Sequence, residues 1–261
     1  MAENSLEKSL KGPMGMAVPD FLKDEKPTGL EHLVEQDVQM PRLLIAQQMS
    51  PQLNPDKPQY MEDLKTGDLF NSLTGAVYGR GPLMFTVIRA DSPRWIEFIP
   101  REQGGGIKDP NVQFGDPRTE WQADGKPPIA TKFYDFIIVL LPSREFISLS
   151  LKSTGIRVAR QLNGLMQARM KPIYTGTYNI DVVSTTNAKG SFFIPRIKNV
   201  GWIQPEWHGF LKESFDSLKH SVIDIHRPEA TGAEPIDDGG TEFNPEELER
   251  EAQNQSEVSG M

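Results

Sequence analysis

Hydrophobic and polar positions divide the chain into three stretches. Residues 1–38 are polar, broken by Pro and Gly, and show no strong periodicity. They read as a flexible arm carrying one short helix near residues 30–38. From Pro41 the pattern changes: Arg42-Leu43-Leu44-Ile45-Ala46 opens the ordered part, and a loop with Pro51, Pro55 and Pro58 follows. Residues 68–78 read as strand, turn, strand about Thr74-Gly75. Leu83–Ala90 is a compact apolar strand. Residues 94–100 alternate Trp95, Glu97 and Ile99 with Arg94, Ile96 and Phe98, the period of a strand. Gly104-Gly105-Gly106 then opens an expected loop to about Ala130, with Pro110, Pro117, Pro127, Pro128 and an exposed Trp121. Loops of that length are usually functional or mobile.

Residues 134–141 are almost continuously apolar, as a central strand requires, and residues 146–151 form the hairpin partner across Pro142-Ser143. A helix follows, with Ser153 or Thr154 as N-cap hydroxyl, running to about Met170. Val158, Leu162, Leu165 and Met166 share one face of it. Arg157, Arg160 and Gly164 share the other, and Pro172 ends it. Residues 174–184 are β-branched and aromatic, 187–190 make a turn, and 191–197 and 200–203 read as two further strands. An amphipathic helix over about 206–223 closes the body. From Arg227 the chain is acidic and poor in apolar residues, too poor to offset ordering entropy. The pattern gives a mainly β body with one or two helices over 39–225, an arm over 1–38 and an acidic disordered tail over 226–261. There is no internal repeat.

Composition adds limits. The 261 residues are 37% hydrophobic and 25% charged, enough to bury a core, and 22 Gly with 21 Pro imply many turns. Cysteine is absent, which excludes disulfides, thiolate zinc sites and cysteine nucleophiles. There is no run of 18 apolar residues and no signal-peptide core in the first eleven. The expectation is a soluble cytoplasmic protein with no membrane partner.

Charge changes the picture more. The net −8 is segregated. Residues 1–59 carry net −3, residues 60–225 net +3, and residues 226–261 net −8. Within the middle, residues 126–200 hold 11 basic and 3 acidic side chains. A basic body beside an acidic tail points to an anionic ligand.

Motifs of catalysis are missing. No Gly-x-x-x-x-Gly-Lys-Ser/Thr loop or Gly-x-Ser-x-Gly elbow occurs. Gly104–Gly106 lacks the strand–turn–helix context of a phosphate loop. His32, His208, His220 and His226 form no close pair with metal-ligand spacing, and His220 is spaced for an ion pair with Asp216. The densest carboxylates, Asp237-Asp238 and Glu246-Glu247-Glu249, lie in the tail, which offers no desolvated pocket to tune a general acid. No cofactor, metal or enzymatic activity is expected.

What is present suits single-strand recognition, which combines a basic groove with rings that stack on bases. Lys132, Arg144, Lys152, Arg157, Arg160, Arg169, Lys171, Lys189, Arg196 and Lys198 interleave with Tyr134, Phe146, Tyr174, Tyr178, Phe192, Phe193 and Trp202. Most aromatics in strands are core, Phe136 and Phe193 above all. Tyr174, Tyr178, Trp95 and Trp121, with polar or glycine neighbours, are the surface candidates. The tail can act as an intramolecular mimic of DNA or as a docking peptide. Phe243 and Leu248 within its acidic stretch favour docking.

Residues 146–154 (Phe-Ile-Ser-Leu-Ser-Leu-Lys-Ser-Thr), the helix after them, residues 174–181 and Lys189-Gly190-Ser191-Phe192-Phe193 resemble the back half of tailed-phage single-stranded DNA-binding proteins. Pro41-Arg42-Leu43-Leu44, Met49-Ser50-Pro51 and Gly67-Asp68-Leu69-Phe70-Asn71 are similar to the front half. The resemblance implies an OB-like β-barrel elaborated by long loops. It implies non-catalytic, sequence-tolerant binding of single-stranded DNA in phage replication and recombination, in the host cytoplasm, and contacts to replication or recombination proteins through the tail. Candidate DNA contacts are Arg94, Trp95, Arg101, Lys132, Tyr134, Lys152, Arg157, Arg160, Tyr174, Lys189 and Arg196. Candidate tail contacts are Asp237, Asp238, Phe243, Glu246, Glu247 and Leu248. The last residues, 256–261, depart from the family in lacking a terminal aromatic. Alternative readings are a phage structural or assembly protein and a metal-dependent nuclease drawing on the 17 acidic residues of the body. The arms also allow homo-oligomer contacts.

Overall fold

The computed structural model describes residues 29, 39–141, 143–187 and 190–218. The expected N-terminal helix, the acidic tail and the last turns of the closing helix lie outside the described residues.

The described residues form two sheets and two helices. A three-stranded antiparallel sheet joins β1 (Leu43–Ile45), β2 (Leu69–Asn71) and β3 (Val77–Gly79). The larger sheet contains β4 (Leu83–Ala90), β5 (Arg94–Phe98), β6 (Ile107–Val112), β7 (Ala130–Leu140), β8 (Glu145–Lys152), β9 (Gly176–Asn187) and β10 (Gly190–Trp202). Helix α1 (Ile156–Ala168) follows β8, and α2 (Pro205–Leu218) follows β10.

β7 organises the larger sheet. β8 pairs with it from Phe133↔Lys152 to Leu140↔Glu145. β4 and β5 lie end to end along the other edge, from Phe85↔Leu140 to Ala90↔Phe136 and then from Arg94↔Phe133 to Glu97↔Ala130. At the break between them the Asp91 N–H donates to the Asp135 carbonyl at 3.0 Å. β9 pairs with β4 and β10 with β9, while β6 pairs with β5.

The apolar run of β7 is explained by burial on both faces. Tyr134, Phe136, Ile138 and Leu140 join Phe85, Val87, Ile147 and Leu149 under Ala159, Leu162 and Met166 of α1. Val139 and Leu141 join Ile88 and Tyr174 under Leu211 of α2. Alternate side chains of one strand thus reach two different helices.

The expected barrel does not form: the sheets are not closed by a continuous ladder. Between β8 and β10 sits the small sheet, fastened by a few contacts. The Ser148 N–H donates to the Pro41 carbonyl at 2.8 Å. The Gln47 amide donates to the Phe193 carbonyl at 2.8 Å and accepts from the Phe193 N–H at 2.9 Å. The buried Glu145 carboxylate accepts from Asn71 and from the Tyr78 hydroxyl. Burial, with Glu145 adding to it, pushes the Tyr78 hydroxyl well above the usual phenol range.

Three local expectations are also corrected. The segment from Gly104 to Ala130 is not loop throughout, because β6 adds a strand to β5. It is the last strand on its side, where Pro110 can sit without breaking a ladder. Neither Ser153 nor Thr154 caps α1; both lie in a 3-10 turn, and Gly155 takes the cap position without a side-chain bond. Residues 190–202 form one strand, irregular between Asn199 and Gly201.

Candidate nucleic-acid interface

Four of the candidate residues converge at the end of the larger sheet where β5 pairs with β7. Trp95 stands directly opposite Lys132. Tyr134, two residues on, shares their face, since side chains alternate along a strand, but contrary to expectation its ring is 8% exposed and supports the corner from the core rather than offering a surface for a base. The Lys132 ammonium lies 5.4 Å from the Trp95 ring centre and 5.2 Å from that of Tyr134. Leu151 of β8 is opposite Tyr134. The chain turns into α1 five residues later, so the first turns of the helix pass beside this corner and deliver Arg160. Burial pushes the Tyr134 hydroxyl up, but hydrogen bonds and charge from Arg160 and Lys132 prevail and hold it below the usual phenol value. Arg157 and Arg160 are exposed. Helix α1 contains no Asp or Glu, so nothing on it neutralises them.

Arg94 and Lys152 belong to the opposite face. The Arg94 guanidinium packs 5.4 Å from the Phe133 ring, and Lys152 lies 5.7 Å from it and 6.0 Å from Phe98. Arg94 Nε is 2.6 Å from Oδ2 of Asp135, which is 3% exposed. Its charge is therefore already matched by a buried carboxylate, and it serves the corner as a fastener.

Two tyrosines expected at the surface are core. Tyr174 is 6% exposed, its ring 5.3 Å from Phe215 and 6.0 Å from His208 beneath α2. It cannot stack on a base. Tyr178 is fully buried against Phe85. Its polar neighbours Asn179 and Asp181 mark the alternate, solvent-facing positions of β9. Arg196 is exposed but holds both oxygens of Asp181 at 2.8 Å, on the far hairpin. Trp121 stays largely exposed, away from the corner's pairings. The Arg101 side chain, Lys189 and the tail residues Asp237, Asp238, Phe243, Glu246, Glu247 and Leu248 lie outside the described residues.

The sequence reading missed two arrangements. In the first, Arg118 reaches Glu97 at 2.6 Å, Asp109 at 3.0 Å and Asp116 at 2.7 Å, while Lys108 reaches Glu97 at 2.5 Å. Hydrogen bonds from Lys108 and then Arg118 lower the Glu97 carboxyl, and Arg118 holds Asp116 at about 2. This knot fastens the 113–120 turn to β5 and β6. Only the buried position of Glu97 between apolar neighbours signalled it. In the second, the Arg169 guanidinium covers one face of Trp202 at 4.8 Å and touches the Tyr178 ring at 5.2 Å. Among the described residues, no three His, Asp or Glu side chains group so as to hold a metal ion.

Fold and corner together define a β-rich protein that presents cations on aromatic rings at one end of a sheet. The chain belongs to the family described as Pam3 phage gp34-like protein, whose model matches residues 10–221. It is a phage protein. No curated protein matches the chain, and no solved structure does.

Proposed function

We propose that this phage protein binds single-stranded DNA without catalysis, in the host cytoplasm, during replication or recombination. The observation that carries the reading is the convergence of Trp95, Lys132, Tyr134 and Arg160 from β5, β7 and α1. A half-buried indole beside two cations has the composition of a stacking platform with phosphate contacts. The acid-free outer face of α1 extends the positive surface. The acidic tail competes for that surface within the molecule and recruits replication or recombination proteins when DNA displaces it.

The test is a titration of labelled oligo-dT against the full chain and a chain ending at residue 225, at two salt concentrations. Tight, salt-sensitive binding is expected, tighter without the tail. Absence of binding by either form at low salt overturns the proposal. Recovery of the oligonucleotide intact after incubation with Mg²⁺ is expected, and its degradation would instead support a nuclease.

A further inference from the structure

Trp202 is 59% exposed although it ends a long strand. It pairs with Gly176, and so shares the α1 face of the sheet with Tyr178 and the corner residues. Arg169 leaves the C-terminal end of α1 and lays its guanidinium over one side of the indole. The same guanidinium donates to the Asn199 side chain. Among the described residues no carboxylate pairs with Arg169, in contrast to Arg94, Arg118 and Arg196, each held by an aspartate. Its Nε is buried beside the fully buried Tyr178 hydroxyl, where burial raises the phenol and the charge and hydrogen bonding of Arg169 oppose that.

The backbone makes room for this. A Cβ at Gly176 would stand 2.5 Å from the Tyr178 hydroxyl and 2.8 Å from Arg169 Nε. A side chain at Gly176 would crowd both the guanidinium and the Tyr178 hydroxyl. Lys171 is exposed close by in the chain. The site therefore has an exposed indole, a cation held against it and, among the described residues, no acid paired with that cation. That chemistry takes a flat aromatic group linked to an anion, as in an unpaired nucleotide.

The geometry points to a second base-stacking platform at Trp202 and Arg169, taking the same single strand as the Trp95 corner. This rests on the single-strand reading above. The two platforms flank opposite ends of α1. Arg160 and Arg169 are nine residues apart, about 14 Å along a helix axis. Between them the helix exposes Gln161, Gly164, Gln167 and Ala168, with no acid. Nine residues also carry the helix through about two and a half turns, so a strand passing from Arg160 to Arg169 crosses over α1 and meets an indole on either side of it.

The experiment compares the full chain with W202A, W202F and W95A, using labelled oligo-dT of about 5 and about 20 nucleotides, bracketing common site sizes. On the long oligonucleotide W202A is expected to weaken binding at least about tenfold, the scale of one lost stacked base. On the short one the loss is expected to be smaller, because the Trp95 corner alone suffices. W202F should retain most of the affinity, since a phenyl ring still stacks. Unchanged thermal melting of W202A, expected for an exposed side chain, separates this from misfolding. If the unsubstituted chain and W95A show the expected binding and loss while W202A matches the unsubstituted chain on both lengths, the second platform is overturned and the single-strand reading stands. If the unsubstituted chain binds neither oligonucleotide, both fall.

Discussion

Lys132 touches two rings at once, and its ammonium has no carboxylate beside it among the described residues. Removing it takes away a charge and two ring contacts, each contributing roughly 0.5–1 kcal/mol at an exposed site. In the Lys132→Ala, Arg160→Ala double variant, the two proposed phosphate contacts are removed. The slope of log affinity against log salt for oligo-dT should fall by about 1.4, at roughly 0.7 per contact on single strands. The same variant reports on Tyr134. With both cations gone only burial remains, so the phenol should titrate at higher pH than in the native chain. Ultraviolet pH titration, with Tyr134→Phe as the blank, measures this. An unmoved phenol would mean that Arg160 and Lys132 do not govern it. Trp95 was legible in the sequence because a period-two pattern put it on a strand, and Lys132 because it stands in the basic stretch just before an apolar run. Tyr178 is core although its neighbours are polar, because alternation along a strand puts the ring on the inward side; Tyr174 lies in a 3-10 turn that carries its ring beneath α2.

At the scale of elements, α1 is held by Leu162, which is fully buried against β7 and its neighbours. Leu162→Ala should cost about 2–5 kcal/mol, read by denaturant unfolding. A loss well below that would mean that the helix is not part of the core. The Arg118 knot makes a different prediction. Asp116 falls from its ordinary 3.8 to about 2 in the folded chain. A lowered carboxyl contributes stability that is complete above about pH 4 and lost as pH falls through about 2. Hydrogen exchange in β6 should therefore accelerate over that acid window in the native chain. In Arg118→Ala the part of the acid step due to Asp116 should vanish, leaving only what Lys108 holds on Glu97. Most strands and both helices were visible in the hydrophobic pattern. β6 was not, because Lys108, Asp109, Pro110 and Asn111 carry no apolar alternation. It is held by β5 and by salt bridges that no local pattern encodes.

For the whole molecule, the charge of the tail equals the net charge of the chain, and the body is slightly basic. Deleting residues 226–261 should strengthen oligo-dT binding, most at low salt where screening is weakest. Equal affinity with and without the tail at low salt would remove it as a regulator. The closed barrel expected from the family resemblance failed for a reason that sequence pattern does not carry. Closure depends on which edges meet, and here a short separate sheet stands between β8 and β10. Gln47 bridges that gap as if it were a residue of a neighbouring strand, giving one donor and one acceptor to Phe193. The consequence is a sheet hooked to β10 by one side chain, while Pro41 and Glu145 hold it to β8. Gln47→Glu keeps the shape but turns the donor into an acceptor facing the Phe193 carbonyl, a loss of about 1–3 kcal/mol. A protease pulse should then cut the 46–67 segment before any strand of the large sheet, so that the protein comes apart along one line.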